Sequence, residues 1–557
     1  MTTDPTIAQW RLDRIVARVH GEEQRAHAGE PAPPGDPPPD AAPSPGDKDA
    51  PPSQRSRIDP NDSRPEIVLS TDQPPVVEKA LHALALMGGV YVRGRQLVHV
   101  VRDHGAPDWF LRPAGSPVIV PIERDHLLDL LGRAALWSSM KDGVSHRASP
   151  PTWVASRILA RGEWKLPQLE AISDAPVFRA DGTIHDTPGY DERTRVIFDP
   201  CGAAFPPIPS SPTRADAERA LVELVEPFSE FPFVADSDRA ACAAFVLSVT
   251  GRPAIHGQVP MFGVQAPTPG SGKGLLTDAA AMIPTGRKAP LMAPTDEDEE
   301  TRKRLLAIAM ESPSIVVIDN VDGVLGSPAL AMALTAGQVS DRLLGSTRMI
   351  TASLRPVWAF TGNNVQLRGD LGRRVVPIDL DPKVEHPEDR TFRRTDLLGY
   401  VQENRPRLVV AALTVLRAFV VAGSPAHGLP AKGSFEAWDA LVRGAILWAG
   451  GADPLGGVKR IRDRADEDLD RLRALLTAWR QAFEGTAHTL AEAIKHAGTS
   501  GDLHDALAAF CRSGKPEAKP IGYAFRKAQG RPVGSKVLRR EDLDRDGIVR
   551  WLVQLCE

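Results

Sequence analysis

Residues 261–276 read Met-Phe-Gly-Val-Gln-Ala-Pro-Thr-Pro-Gly-Ser-Gly-Lys-Gly-Leu-Leu: an apolar run, a glycine-rich turn with one lysine, and the start of a helical pattern. A loop that joins a strand to a helix in this way points its backbone N–H groups inward at the helix N-terminus, where they surround phosphate. Lys273 is then expected to reach the β- and γ-phosphates of a nucleotide. The residues predicted to bind the phosphates are Pro269, Gly270, Ser271, Gly272, Lys273, Gly274 and Leu275.

Two residues depart from the usual G-x-x-x-x-G-K-[ST] pattern of such loops. Pro267 stands in place of the first glycine, and Gly274 stands in place of the Ser or Thr whose hydroxyl ligates Mg²⁺. Residues 269–274, Pro-Gly-Ser-Gly-Lys-Gly, resemble the phosphate loop of adenylate kinases, so a glycine after the lysine is compatible with the loop. A chance glycine-rich turn is the alternative interpretation.

A second strand pattern ends in a carboxylate. Residues 313–320 read Pro-Ser-Ile-Val-Val-Ile-Asp-Asn, in which four consecutive apolar residues predict a buried strand that ends at Asp319. After a phosphate loop, a carboxylate at this position holds Mg²⁺, often through water, so Asp319 is the predicted metal residue. The next residue is Asn320 rather than the usual Glu, and Asp322 is a second candidate for the metal. A carboxylate that only caps the strand is the alternative.

A third strand pattern ends in asparagine. Residues 355–364 read Arg-Pro-Val-Trp-Ala-Phe-Thr-Gly-Asn-Asn. The amide of Asn363 at the tip of this strand can hydrogen-bond the attacking water or the γ-phosphate, which is the sensor 1 role. An asparagine-rich turn explains the same residues for local reasons.

Two arginines stand before a closing strand. Residues 368–380 include Arg373 and Arg374, and an arginine at such a position can stabilise the charge of the phosphoryl transition state. For either arginine, the alternative is a surface salt bridge with Asp370 or Asp379.

In this order, the four motifs make residues 212–382 resemble an AAA+ ATPase. The segment is most similar to superfamily 3 helicases and to the helicase part of phage and mobile-element primase-helicases, and residues 297–305 and 341–346 resemble a group of phage- and plasmid-borne replication ATPases. The resemblance implies an α/β P-loop core that binds ATP and Mg²⁺. It also implies a ring of identical subunits, expected to be a hexamer, in which Arg373 or Arg374 of one subunit completes the site of the next.

Superfamily 3 helicases carry a DNA-gripping hairpin between the metal strand and the sensor strand. Here that interval includes residues 339–354, with Arg342 and Arg348 as the candidates for DNA contact in a central pore. A structural strand pair explains the same residues equally well.

The C-terminal segment, residues 512–540, is strongly basic and contains a single acid, Glu517. A helix at 521–529 followed by a turn and hairpin looks like a winged helix, and basic residues in that layout suit phosphate contacts. A solvated charged face is the alternative. The residues predicted to contact DNA here are Arg526, Lys527, Lys536, Arg539 and Arg540.

Composition limits the rest of the chain. Its 557 residues correspond to three or four domains at roughly 150 residues each. The net charge of −4 argues against a histone-like basic coat, although a local nucleic-acid groove is compatible with it. The four cysteines are far apart and form no CxxC or Cys/His cluster, which argues against a zinc site or a disulfide framework and favours a reducing cytoplasm. Neither a signal peptide nor a membrane-spanning segment is expected.

Five segments are predicted from these patterns. The first contains many of the 51 prolines, with few apolar residues, and is expected to be disordered. The predicted segments are 1–64, a short helix with a proline-rich linker; 65–212, an N-terminal α+β domain; 213–398, the AAA+ P-loop ATPase domain; 399–484, a helical extension; and 485–557, a winged-helix-like basic domain.

The leading hypothesis is an ATP-dependent DNA helicase of superfamily 3 type that acts in replication of a phage, plasmid or integrated element. No primase motif is visible, so a separate primase or other replication proteins are expected as partners. One alternative is a DNA-bound initiator or loader that turns ATP over slowly, because Gly274 and Asn320 leave the metal ligand and the general base uncertain. Asp322, Glu299 and Glu300 are the candidates for that base. A nucleotide kinase is a further alternative, but it lacks an arginine-rich lid and does not account for the basic C-terminus.

Overall fold

The structure, a computed structural model, describes residues 62–103, 115–295, 297–342, 349–384, 386–498, 501–511, 513–530, 532–541 and 549–555. The chain divides into Met1–Asp62 and Ser63–Glu557, and the elements described below belong to the second unit. The predicted helix and proline-rich linker lie almost wholly outside the described residues, as do Arg348 and the side chain of Lys527.

The N-terminal part of this unit combines helices with short strands. Its elements are β1 (Glu66–Leu69), α1 (Gln73–Met87), β2 (Val90–Arg93), β3 (Gln96–Asp103), β4 (Ser116–Pro121), α2 (Arg124–Ala134), β5 (Leu136–Lys141), β6 (Val144–Ala148), α3 (Thr152–Arg161), β7 (Ala171–Ser173), β8 (Val177–Phe178), β9 (Ile184–His185), β10 (Gly189–Asp191) and β11 (Val196–Phe198). The strands form the sheets β1-β5-β6, β2-β3-β4 and β10-β11-β7 and the pair β8-β9. Helices α1 to α3 share one core with β1, β2 and β5. Prolines in the first turn of α1 fit there because those N–H groups would have no intrahelical partner.

A parallel sheet forms the centre of the chain. The elements of this part are α4 (Arg214–Val225), α5 (Asp236–Thr250), β12 (Met261–Ala266), α6 (Lys273–Thr285), β13 (Leu291–Met292), α7 (Asp298–Glu311), β14 (Ile315–Leu325), α8 (Pro328–Ala333), β15 (Gln338–Arg342), β16 (Met349–Ser353), β17 (Val357–Leu367) and β18 (Val375–Asp379). Five of the strands form one sheet in the order β13-β14-β17-β12-β18, and every neighbouring pair is parallel. β17 therefore lies between β12 and β14.

Both faces of this sheet are covered. Successive side chains of a strand point to opposite faces. Accordingly, Ile315 and Val317 of β14 enter the core that contains α4, α5, α6 and the following helices, whereas Val316 and Ile318 enter the core that contains α7 and α8. Because both faces of these parallel strands are covered, a ligand can reach them only at their ends. The carboxyl edge of the sheet is where ligands bind in such folds.

The remaining elements are mainly helical. They are α9 (Leu397–Val421), α10 (Glu436–Trp438), a π-helical turn (Asp439–Arg443), α11 (Gly444–Trp448), α12 (Val458–Phe483), α13 (Leu490–Ala497), α14 (Asp502–Ala508), α15 (Ala518–Ala528), β19 (Pro532–Val533), β20 (Lys536–Glu541) and β21 (Arg550–Leu555). The end of α12 packs with α13, α14, α15 and the antiparallel sheet β19-β20-β21 around one core. Among the described residues, no helix is long and apolar enough to cross a membrane.

Candidate functional site at the carboxyl edge of the parallel sheet

Hydrogen bonds between its own residues stabilise the loop between β12 and α6, residues 267–272. The Ser271 hydroxyl donates to the Thr268 carbonyl at 2.6 Å and lies 3.1 Å from the Thr268 hydroxyl. Gly270 and Gly272 have φ angles of 73° and 86°, a left-handed conformation that glycine adopts without steric cost. A helix leaves its first N–H groups without intrahelical partners, so the start of α6 presents donors that suit an anion.

Two side chains from distant parts of the chain lie against this loop. A Cβ atom at Gly272 would lie 3.1 Å from Cε1 of Phe231, and one at Gly270 would lie 2.9 Å from Oε2 of Glu388. Neither residue was predicted from the sequence. The aromatic stretch that contains Phe231 is the only signal that could have drawn attention to it, and no motif connects Glu388 with the loop.

Lys273, the first residue of α6, places its ammonium between the loop and β17. Nζ donates to the Thr268 carbonyl at 3.2 Å and to Oδ1 of Asn363 at 2.8 Å. Burial lowers the pKa of Lys273, whereas the nearby Asp319 carboxylate raises it. The structure thus brings the predicted phosphate-binding lysine into direct contact with the predicted sensor asparagine.

A buried threonine of β17 binds Asp319. Oγ1 of Thr361 donates to Oδ1 of Asp319 at 2.5 Å and accepts a hydrogen bond from the Asn320 N–H at 2.9 Å. Thr361 is only 3% exposed and precedes Asn363 by two residues. The sequence patterns did not single out Thr361, although a hydroxyl at the end of the apolar run 357–360 is a visible signal.

The strand that carries Asp319 is longer than predicted. The sequence predicts that β14 ends at Asp319, but the strand continues to Leu325, so this part of the prediction is wrong. The register with β17 shifts between Ile318 and Val321, which marks a bulge, and Asn320 has a φ of 55°, which asparagine tolerates better than most residues. The bulge lets the chain resume pairing after the carboxylate. β17 likewise continues beyond its predicted polar end.

Of the carboxylates considered as a general base, Asp322 lies on β14, the strand that carries Asp319. It is exposed, and the strand register pairs its Cα with that of Asn363. Glu299 and Glu300 lie in the first turn of α7 and form ion pairs along that helix with basic residues four positions later, at 2.9 Å each. Within the described ranges, no group of three or more His, Cys, Asp or Glu side chains could hold a metal ion.

Asp278 is a further carboxylate near Asp319. It follows Gly274 by four residues on α6, and positions with this spacing share a helix face. Burial raises the pKa of Asp278, Lys288 at 3.6 Å lowers it, and Asp319 raises it further. A Cβ atom at Gly274 would meet no atom within 4 Å, so the place of the usual hydroxyl is open space.

The two predicted arginines differ in exposure. Both lie in a 3₁₀ helix, Gly369–Arg374, and both pair with Asp370, as the salt-bridge alternative predicts. Arg374 is 13% exposed and also donates to the Ala331 carbonyl and the Thr335 hydroxyl, at the end of α8. Arg373 is 66% exposed, so it is the better placed of the two to reach a neighbouring molecule.

The predicted hairpin between the metal strand and the sensor strand is present as β15 and β16. Its strands pair in antiparallel register from Gln338 with Ser353 to Arg342 with Met349, and Arg342 is exposed. The turn between β2 and β3 lies against it, since a Cβ atom at Gly94 would lie 3.0 Å from the Thr351 carbonyl oxygen. The tip of the hairpin lies outside the described residues.

The basic C-terminal residues lie on α15 and β20. Helix α15 buries Ile521 and Phe525, while Arg526 is exposed. On β20, Lys536 is partly buried, whereas Arg539 and Arg540 are exposed. β21 pairs with β20 on one side, and Trp551 of β21 packs in the core with α15. Three of the five DNA contacts predicted in this C-terminal segment are therefore open to solvent.

No family model matches the chain, and no curated protein matches it. Among solved structures, the chain is similar to the apo A form of the NrS-1 C-terminal region, with 11% identity over 85% of this chain and 98% of that one, at a TM-score of 0.32. It is also similar to an inhibitor-bound JCV helicase, with 16% identity over 42% of this chain and 68% of that one, at a TM-score of 0.18. Similarities with TM-scores this low do not establish a function for the chain.

Proposed function

We propose that this protein is an ATP-dependent DNA helicase of superfamily 3 type, with an AAA+ P-loop core, that serves replication of a phage, plasmid or integrated mobile element. One observation carries the proposal: Lys273, Asp319 and Asn363 meet at the carboxyl edge of one parallel sheet, beside a glycine-rich loop. A chance glycine-rich turn does not account for this meeting, because the three residues belong to three different elements.

The oxygen ligands at this edge suit a magnesium nucleotide. Mg²⁺ keeps several waters and is usually bound through one or two carboxylates together with phosphate oxygens. Asp319 would supply this carboxylate through water, with its Oδ1 held by Thr361. When bound, Mg²⁺ neutralises the charge that develops on the β- and γ-phosphate oxygens.

The protein's own groups would divide the remaining work of ATP hydrolysis. The loop N–H groups and Lys273 would bind the phosphates, and the amide of Asn363 would orient the attacking water. Asn320 cannot accept the proton of that water, so we assign this role to Asp322, whose Cα is paired with that of Asn363. Arg373 of a neighbouring subunit would stabilise the transition-state charge.

DNA would be bound at two places. Arg342 on the hairpin β15–β16 would face a central pore of the ring, which we propose is a hexamer. The basic residues of α15 and β20 would contact phosphates of the duplex ahead of the ring, since exposed arginines and lysines bind the DNA backbone without reading its sequence. A separate primase would supply primers.

DNA-stimulated ATP hydrolysis by the purified chain tests this proposal. Lys273→Ala is expected to abolish hydrolysis and strand separation, because it removes the cation that meets the β- and γ-phosphates. Lys303→Ala is the matched control, since Lys303 only forms an exposed ion pair along α7. Strand separation that survives in Lys273→Ala would contradict the proposal.

A DNA-bound initiator or loader is the second candidate function. Gly274 leaves open space where a metal-binding hydroxyl usually lies, and Asn320 replaces the usual base. Both changes favour slow turnover. The initiator or loader function would be favoured if the wild-type protein bound DNA in an ATP-dependent manner but did not separate the strands.

A further inference from the structure

Thr361 connects the two strands that carry the candidate catalytic groups. Its hydroxyl donates to Oδ1 of Asp319 at 2.5 Å and accepts from the Asn320 N–H at 2.9 Å. Both bonds cross from β17 to the bulge of β14, where the regular register is interrupted. The hydroxyl therefore bridges the strands at the point where the backbone ladder is broken.

We infer that Thr361 is a positioning residue that holds the Asp319 carboxylate in the orientation in which it meets a magnesium nucleotide. The inference rests on the proposed ATPase function and assigns a role to a residue to which the sequence motifs gave none. A hydrogen bond from a hydroxyl to a carboxylate is short and stronger than one between neutral groups, so it can select one orientation of the Asp319 side chain.

The position of Thr361 suits this role. The residue is 3% exposed, so little water competes for its hydroxyl. Asn363, two residues later on the same strand, accepts the hydrogen bond from Lys273. Residues at i and i+2 share a face of a strand. One strand thus holds both the cation and the carboxylate of the site.

If Thr361 served only to pack the two strands together, its hydroxyl would not be needed. Packing would require only the shape of the side chain, which Val reproduces without the hydroxyl. β14 and β17 are already close here, since a Cβ atom at Gly362 would lie 2.5 Å from the Val321 carbonyl oxygen. Val at position 361 adds no bulk to this contact. The Asn320 N–H loses its acceptor in such a variant, and this cost is measured by the thermal midpoint, separately from the Mg²⁺ dependence.

The experiment compares Thr361→Val and Thr361→Ser in the full chain, with Thr250→Val as the matched control. Thr250 is a buried threonine whose hydroxyl donates to the Val246 carbonyl within α5, at 3.0 Å. The measurements are the thermal midpoint, the affinity for a fluorescent ATP analogue with and without Mg²⁺, and the kcat and KM of DNA-stimulated ATP hydrolysis. Should Thr361→Val fail to fold, Thr361→Ala takes its place.

We expect Thr361→Val to bind the analogue normally without Mg²⁺, to lose about tenfold of the affinity that Mg²⁺ adds, and to lose about tenfold in kcat. Thr361→Ser and Thr250→Val should match the wild type within about twofold. An unchanged Mg²⁺ dependence in Thr361→Val, or an equal defect in Thr361→Ser, would overturn the inference alone. A wild-type protein that neither binds nor hydrolyses ATP would overturn the proposed function and this inference with it.

Discussion

Replacing Arg373 with Ala is expected to remove ATP hydrolysis and to leave the fold of each subunit almost unchanged. The side chain is 66% exposed, and its ion pair with Asp370 lies at the surface, where water and salt screen the attraction, so the pair contributes little to stability. An arginine that stabilises the phosphoryl transition state contributes about 10³–10⁵ in kcat, which corresponds to about 4–7 kcal/mol. The loss of activity should therefore far exceed the loss of stability.

Arg374→Ala provides the matched comparison. Arg374 is 13% exposed and hydrogen-bonds the Ala331 carbonyl and the Thr335 hydroxyl. Removing it deletes the hydrogen bonds of a largely buried side chain, at a net cost of about 0.5–1.5 kcal/mol each. We expect a lower thermal midpoint for this variant, with ATP hydrolysis per folded subunit largely retained.

Mixing two inactive variants shows whether Arg373 acts across a subunit interface. In rings assembled at random from equal amounts of Arg373→Ala and Lys273→Ala subunits, about a quarter of the interfaces combine an intact Lys273 with an intact Arg373 of the neighbour. ATP hydrolysis should therefore recover to about a quarter of the wild-type rate. No recovery on mixing, or full activity of Arg373→Ala by itself, would refute the reasoning.

Three further predictions concern stability and DNA binding. Burial lowers the pKa of Lys432 from 10.5 to about 8, so between these two pH values the unfolded chain binds more protons and the free energy of unfolding rises with pH. In urea unfolding, Lys432→Met should remove this rise and stabilise the protein at pH 7 by up to about 3 kcal/mol. An unchanged pH profile of the free energy of unfolding would contradict this prediction. Arg460→Met leaves the carboxylate of Asp238, which is 0% exposed, without its ion-pair partner, so we expect a loss of about 3 kcal/mol, and an unaltered thermal midpoint would argue against it. Replacing Arg539 and Arg540 with Ala should weaken DNA binding and reduce the slope of log K against log salt by about one unit for each DNA phosphate that the variant no longer binds, whereas an unchanged slope would exclude phosphate binding by these arginines.

Local patterns were sufficient for helices whose apolar spacing is unbroken. Residues 152–161 and 236–250 each show a helical pattern in the sequence, and helices α3 and α5 span these ranges. Helix α12 begins at Val458, well before the apolar pattern that starts at Leu469, and its first turns are mostly charged and show no apolar stripe from which a helix could be predicted. Ile461 of α12 lies close to Gly372 of the 3₁₀ helix, since a Cβ atom at Gly372 would lie 3.6 Å from its Cγ2. This packing of α12 against the 3₁₀ helix is a tertiary interaction that no local pattern reveals.

In the candidate site, too, local sequence patterns identify some residues, while others depend on tertiary contacts. Lys273, Asp319 and Asn363 could be named from the sequence, because each follows an apolar run and the carboxyl ends of parallel strands meet at one edge. Thr361 could not, since its hydrogen bond to Asp319 depends on β17 lying beside β14, and strand order is not encoded in the pattern of a single strand. Phe231 reaches the loop only through the packing of distant segments.

The central claim is that ATP hydrolysis at the carboxyl edge of the parallel sheet drives separation of DNA strands. Strand separation of a forked duplex, measured with ATP for the wild type and for Asp319→Asn, tests it most directly, because this change removes the carboxylate charge with almost no change in shape. We predict that Asp319→Asn binds the ATP analogue but separates no strands, while the wild type separates them. Strand separation by Asp319→Asn at the wild-type rate, or none by the wild type, would contradict the claim.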